Sequence, residues 1–250
     1  MQENRVAEAI AIAAEMGSTG DDVLRHLRSM PAAYADAVAP RTIVRHALLL
    51  ANPPEGSSFA TRVSPSAGND GIDELDVIAG DDRPGLFAKV SGVLALNGGK
   101  VIAAEAFARD DGIVVDFFQI RPPEGAGGSW WARVEGDLAD AAAGRLAVRA
   151  RVAAIARSEA ERVARLPAIT TQITIKDGVV DVSAVDRLGV LYAITSALAE
   201  LEVDIVSARI ASVDHAVHDR FVVRTSSGDP VDADHATEII LAVEHAIATL

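Results

Sequence analysis

The sequence contains no cysteine. Disulfide scaffolds, thiolate zinc sites and cysteine nucleophiles are excluded together, and a reducing, cytoplasmic setting is the expectation. Positive charge is also in short supply: 23 Lys and Arg stand against 36 Asp and Glu, a formal charge of -13. A chain this acidic repels the phosphates of nucleic acid, so no nucleic-acid partner is expected. Long apolar runs are missing too. No stretch approaches the roughly 20 residues that span a bilayer. The opening MQENRVAEAIAIAAEM has acidic residues where a signal peptide is basic and then continuously apolar. A soluble, unprocessed chain with no membrane attachment is predicted.

What is present is enough to fold. The chain has 250 residues, half of them hydrophobic and 24% charged, which suits one large domain or two to three small ones. From Arg5 to Met16 the apolar residues Val6, Ala9, Ile10, Ala13 and Ala14 recur at helical spacing, ending at Gly17. A second helix is expected from Asp21 or Asp22 as cap to Met30, and a third after Pro40. This helical lead, residues 1–56, closes in the connector Asn52-Pro53-Pro54-Glu55-Gly56.

The pattern then changes to strands around one helix, and it does so twice. In the first pass, a strand from Ile72 to Ile78 is followed by the turn Asp81-Asp82-Arg83-Pro84-Gly85 and a helix from Leu86 to Leu96. The strands Val101–Phe107 and Ile113–Ile120 come next, then a helix from Trp130 or Trp131. In the second pass, strands Gln172–Ile175 and Val179–Val185 lead to the turn Asp186-Arg187-Leu188-Gly189 and a helix from Val190 to Leu201. Strands Ile205–Ala211 and Val217–Arg224 and a helix from Ala233 to Thr249 complete it. Superimposing Asp82 on Asp186, a shift of 104 residues, makes six of 27 positions identical across 82–108, and the hairpins keep register so that Asp116 meets Asp219.

A ferredoxin-like unit normally ends on a strand, but the second pass ends on a helix. Gln172–Ile175 can fill the empty sheet edge from the other end, and Phe59–Val63 can do so for the first pass. The fold class predicted is α+β: two permuted ββαββα ferredoxin-like modules, each an antiparallel sheet of four strands with helices on one face. Their expected bounds are 57–144 and 169–250, with a linker helix at 145–168.

The repeated turn has a chemical use. A helix N-terminus exposes unpaired N–H groups that receive a carboxylate, and a nearby Asp accepts from an ammonium. The bland alternative is that Asp caps the helix and Gly makes a tight turn. Other conspicuous residues read as structural. His218-Asp219 lies in a strand without partners for a metal centre, and Trp130 and Trp131 cover a core or module interface. The arginines of 145–165 suit a solvated linker helix, or a surface for an acidic partner. No metal site, cofactor site or phosphate-cradling glycine loop is found, Gly125 to Gly128 lacking the spacing.

Asp82-Arg83-Pro84-Gly85-Leu86-Phe87, with the helix and strand after it, resembles the signature of ACT domains, small-molecule sensor modules attached to amino-acid metabolic enzymes. The hairpin around Ala106–Gly112 and Asp116-Phe117-Phe118, and Ser207-Ala208-Arg209-Ile210, are similar to the tandem ACT pair of the PII-protein uridylyltransferase/uridylyl-removing enzymes. Arg25 to Leu50, with Tyr34 and Arg45-His46, resembles the helical stretch before that pair. The resemblance implies a ligand held between modules by the strand-to-helix turn and the residue that opens the second strand. The first module then offers Asp82, Pro84, Gly85 and Leu86 with Lys100, and the second Asp186, Gly189 and Val190 with Asp204. Lys100 stands where Asn or Asp is usual, and Leu188 replaces the proline. The second site is preferred, because two carboxylates satisfy an ammonium and an amide.

The resemblance thus implies a non-catalytic, self-associating regulator of nitrogen or amino-acid metabolism. It would bind a small amino acid, glutamine first, and be read by a PII-type protein or partner enzyme. The alternatives are a regulatory piece of a nucleotidyltransferase working with catalytic domains in trans, and a scaffold that binds nothing small.

Overall fold

The structure, a computed structural model, describes residues 2–51, 59–65, 71–80, 85–109 and 111–250. The expected connector 52–56, most of the first Asp-Arg-Pro-Gly turn and Asp110 lie outside these. The elements run α1 (Gln2–Ala13), a 3-10 turn (Ala14–Met16), α2 (Gly20–Ser29), α3 (Tyr34–Ala37) and α4 (Pro40–Leu50). They continue with β1 (Phe59–Pro65), β2 (Asp73–Ala79), α5 (Leu86–Leu96), β3 (Lys100–Ala108), β4 (Val114–Arg121) and α6 (Gly128–Ala142). After α7 (Val148–Ser158) and α8 (Ala160–Val163) come β5 (Gln172–Lys176), β6 (Val179–Val185) and α9 (Val190–Glu200). The chain closes with β7 (Val203–Arg209), β8 (Ser212–Val213), β9 (Ala216–Thr225) and α10 (Ala233–Ala248).

The two sheets have the same strand order, β1-β2-β4-β3 and β5-β6-β9-β7, with the short β8 added beside β9. Each repeat places its early strand at the edge that a closing strand would otherwise fill, as the sequence predicts. In the second sheet Val180, Val182 and Ala184 of β6 and Val217, Asp219, Phe221 and Val223 of β9 are buried while the residues between them are not. That alternation belongs to a sheet covered on one face.

Contacts divide the chain into two compact units: Met1–Arg62 with Leu75–Asp82 and Glu105–Phe117, and Val63–Glu74 with Arg83–Ala104 and Phe118–Leu250. In the first unit the helical lead packs on strand residues. Ala9, Val23, Tyr34, Ile43 and Val44 share a core with Ile78, Phe107 and Val115, and the Tyr34 and Phe107 rings meet edge to face at 5.0 Å. This explains why β2 is buried without interruption from Leu75 to Ala79. Two local expectations change. Thr19, not Asp21 or Asp22, caps α2, its hydroxyl accepting from the Asp22 N–H at 3.1 Å. Tyr34–Ala37 adds a short helical turn.

A polar chain runs through the first unit's core. Asp76, fully buried, accepts from Arg45 through both oxygens, and from His46 Nε2 at 3.0 Å. Tyr34 Oη lies 2.7 Å from His46 Nδ1 and 2.8 Å from His26 Nε2. Burial works against the Asp76 carboxylate, but His46 and Arg45 outweigh it and hold the group below the usual range. Asp76 only accepts, while the donor and acceptor roles further along the chain follow from which ring nitrogen of each histidine carries the proton. His26 Nδ1 is left without a hydrogen-bond partner. Burial first, then the electrostatic influence of His46 and Arg109, lowers the His26 pKa to about 3.

The second unit is organised by helix packing. Gly92 of α5 lets α9 and α7 approach: a Cβ there would stand 2.5 Å from Val148 Cγ1 and 2.6 Å from the Tyr192 ring. Beside it Ser91 Oγ and Thr195 Oγ1, both buried, lie 3.3 Å apart. These two residues are equivalent under the 104-residue shift, so α5 and α9 meet about a local two-fold axis. The expectation of a solvated linker helix is corrected in part. Arg149, Arg151 and Arg157 of α7 are exposed, but Val148, Val152 and Ala156 form a buried stripe. Trp130 is buried, its indole donating to the Asn97 carbonyl at 2.8 Å. Among the described residues, no helix is long and apolar enough to cross a membrane.

Two predictions follow from this packing. Gly92→Ala drives a methyl into Tyr192 and Val148 and should destabilise the chain by about 1–3 kcal/mol in urea unfolding; a change within about 0.5 kcal/mol refutes the close approach. His26 is neutral when folded and titrates near its ordinary 6.5 when unfolded. The unfolded chain therefore binds the extra proton between those values, and stability falls as pH drops below about 6.5. His26→Gln should shrink that acid-side loss in melting temperature, and an unchanged pH slope contradicts it.

Candidate functional site

The second Asp-Arg-x-Gly turn is built by a glycine. Gly189 has φ of 86°, in the left-handed region, and stands at the N-cap of α9 with no side-chain cap. Its amide oxygen accepts from Ala193 N–H at 2.8 Å, starting the helix. A Cβ at Gly189 would lie 2.6 Å from Val152 Cγ1 of α7. The turn is tied down on its other side, where the Asp186 N–H donates to the His215 carbonyl at 2.7 Å.

The bland reading of Asp186 as a helix cap does not hold, since its carboxylate makes no bond to the first turn of α9. It accepts instead from Lys100 Nζ at 2.6 Å. Lys100 opens β3, so the residue comes from the other repeat, which changes the expected grouping. Lys100 thus reaches the turn of the second repeat, as modules paired about a two-fold axis bring the strand start of one to the turn of the other. The Lys100 side chain is 46% exposed and that of Asp186 20%. The pair therefore contributes about 0–1 kcal/mol and opens readily.

Around this pair lies a cavity of about 360 Å³. Lys100, Asp186, Gly189 and Val190, all proposed from the sequence, line it, together with Arg162, Arg187 and Asp219. Arg187 donates to the Ile247 carbonyl at the end of α10, where the helix dipole favours a cation, and burial lowers its pKa. Arg162 pairs with Glu159.

Three other proposed residues do not join the cavity. Asp204 is buried on β7 with the Arg224 guanidinium 3.8 Å away, and burial raises its pKa against the opposing pull of Arg224. Gly85 caps α5 with φ of 103°, and a Cβ there would meet Ala199 of α9 at 3.6 Å. Leu86 follows it as the first residue of α5. Asp82 and Pro84 lie outside the described residues.

Asp219 is the residue sequence reasoning passed over. It is 1% exposed, and its Oδ1 accepts only a 3.4 Å bond from the Ala211 N–H. Oδ2 has no hydrogen-bond partner. Burial first and the nearby Asp186 charge raise its pKa to about 7, against the Ala211 hydrogen bond. The signal was available: Asp219 sits between Val217 and Phe221 at an inward-facing strand position, where a carboxylate is out of place. No group of three or more His, Asp or Glu placed to hold a metal occurs among the described residues.

Residues 178–245 match the sequence profile of the ACT domain. Over most of its length the chain is also similar to bifunctional uridylyltransferase/uridylyl-removing enzymes. It is 29% identical to that of Gluconobacter oxydans over 69% of this chain and 19% of the enzyme. For Rhodospirillum rubrum the identity is 30%, over 75% and 21%, and for Caulobacter vibrioides 30%, over 92% and 25%. The chain spans about a fifth to a quarter of the length of these relatives. Strand order, glycine-built turn and sequence match together make residues 178–245 similar to the ACT domain, in a chain similar to a short part of the bifunctional uridylyltransferase/uridylyl-removing enzymes.

Proposed function

We propose that the chain is a non-catalytic regulator whose two ACT-like modules, residues 57–144 and 169–250, bind a small α-amino acid in the cavity at the second turn. The observation that carries this reading is the Lys100–Asp186 pair at the N-terminus of α9. A zwitterion is complementary to an ion pair it can enter. Its carboxylate faces Lys100 and the helix N-terminus, and its ammonium faces Asp186, so one exposed pair is exchanged for two enclosed ones. Glutamine is the first ligand to test, on the resemblance to the uridylyltransferase family.

A ligand seated there touches both repeats. It favours whichever arrangement of α5 and α9 holds Lys100 and the 186–190 turn at the right separation, and that preference is the regulatory output. The similarity to the uridylyltransferase/uridylyl-removing enzymes supports a second, compatible reading. The chain then regulates catalytic domains of that type, with a PII-type protein as the downstream partner.

Thermal melting of the full chain against the twenty amino acids tests the first reading. At a hundredfold excess over Kd the ligand should stabilise the fold by about 2.7 kcal/mol. Calorimetry should then show Asp186→Asn and Lys100→Met each weakening it about tenfold or more, the loss of one charge-assisted contact. If no amino acid moves the melting curve, or if both variants bind as the parent does, the reading fails.

A further inference from the structure

We propose that Asp219 is the second carboxylate of an ammonium subsite, closing over the ligand's amine from the cavity floor while Asp186 holds it from the turn. The inference rests on the amino-acid reading above and adds to it a residue and a proton.

Three observations lead to it. Asp219 lines the cavity and is almost wholly buried, yet Oδ2 has no donor. A buried carboxyl oxygen left unsatisfied is unfavourable, so the fold holds in reserve an acceptor that a ligand's N–H can satisfy. Secondly, Asp219 feels the charge of Asp186, so an ammonium placed at Asp186 is attracted by both. Thirdly, the ammonium already in the cavity, that of Lys100, is bonded to Asp186 and not to Asp219. Asp186 is therefore satisfied at rest while Asp219 is not. The carboxyl torsion is soft, so turning Oδ2 toward an incoming amine requires little rearrangement.

The charged groups that line the cavity with Asp219 are Asp186 and Arg187 of the turn, Lys100 of β3, Arg162 of α8 and Glu159 at the start of that helix. Arg162 and Glu159 pair with each other, and Arg187 is held by the end of α10. Lys100 and Asp186 remain to be rearranged by a zwitterion. When the ligand carboxylate draws Lys100 away, its ammonium replaces the lysine's on Asp186 and adds a contact to Asp219. A buried carboxyl that titrates near pH 7 is partly protonated in the empty cavity. An ammonium beside it favours the ionised form, so binding releases the proton to solvent.

Calorimetry of the full chain with L-glutamine, in phosphate and in Tris at pH 6.5, reads this directly, because the two buffers absorb a proton with different heats. The parent should release most of one proton per ligand, and its affinity should rise about tenfold from pH 6 to pH 8. Glutaramate, which lacks the amine, should bind more weakly and release none. In Asp219→Asn, and in Asp219→Ser as a second variant, glutamine should bind about tenfold more weakly with no difference between buffers. Glutamine binding with equal heats in both buffers overturns the Asp219 subsite and leaves the amino-acid reading standing. Proton release that persists in both variants also overturns it. Absence of binding by any of the twenty amino acids at any pH overturns both.

Discussion

The close packing of α5 on α9 is the constraint on which the rest of the second unit depends. Gly92 permits it, and Ser91 against Thr195 marks the axis where the repeats meet. A two-fold relation between two copies of one motif has a geometric consequence: the strand start of one is carried to the helix entry of the other. That is why Lys100 reaches Asp186 across 86 residues of sequence. The helix α7 fixes the arrangement from the side, with Val148 against Gly92 of the first repeat and Val152 against Gly189 of the second. The glycines at 92 and 189 are thus points where neighbouring side chains, those of α7 among them, leave no room for a Cβ.

Two groups of buried polar residues play opposite parts. In the first unit Asp76, Arg45, His46, Tyr34 and His26 satisfy one another in series, leaving only His26 Nδ1 without a partner. Removing a member of such a chain strands a charge, and the cost of about 3–5 kcal/mol makes it a structural device. In the second unit Asp219 is buried with one oxygen unused, beside a cavity. The first arrangement specifies how the helical lead sits on its strands. The second is an unfilled valence, and it gains value only when something enters the cavity.

Much of this architecture was legible in the sequence because it is written in short-range patterns. The strand and helix order, both edge strands and the second Asp-Arg-x-Gly turn follow from periodicity, glycine placement and the 104-residue shift. The pairing of turn with strand start was not legible. Position by position, Lys100 belongs with Asp82, and only the packing of α5 on α9 reveals that it reaches Asp186 of the other repeat. The buried stripe of α7 was obscured by its arginines, which occupy the exposed face of the same helix. Asp219 was overlooked for a related reason: beside His218 it reads as a dipeptide on a strand, although its alternation with Val217 and Phe221 puts it on the apolar face.

Hydrogen–deuterium exchange measured with and without saturating glutamine addresses the pairing of Lys100 with the second turn directly. A ligand held between Lys100 and the turn should slow exchange in two separated segments together, around residues 98–102 and around 186–192, with the same dependence on ligand concentration. Protection of the turn alone, or of 186–192 together with the region of Asp204 and not of Lys100, would contradict a site assembled across the two repeats.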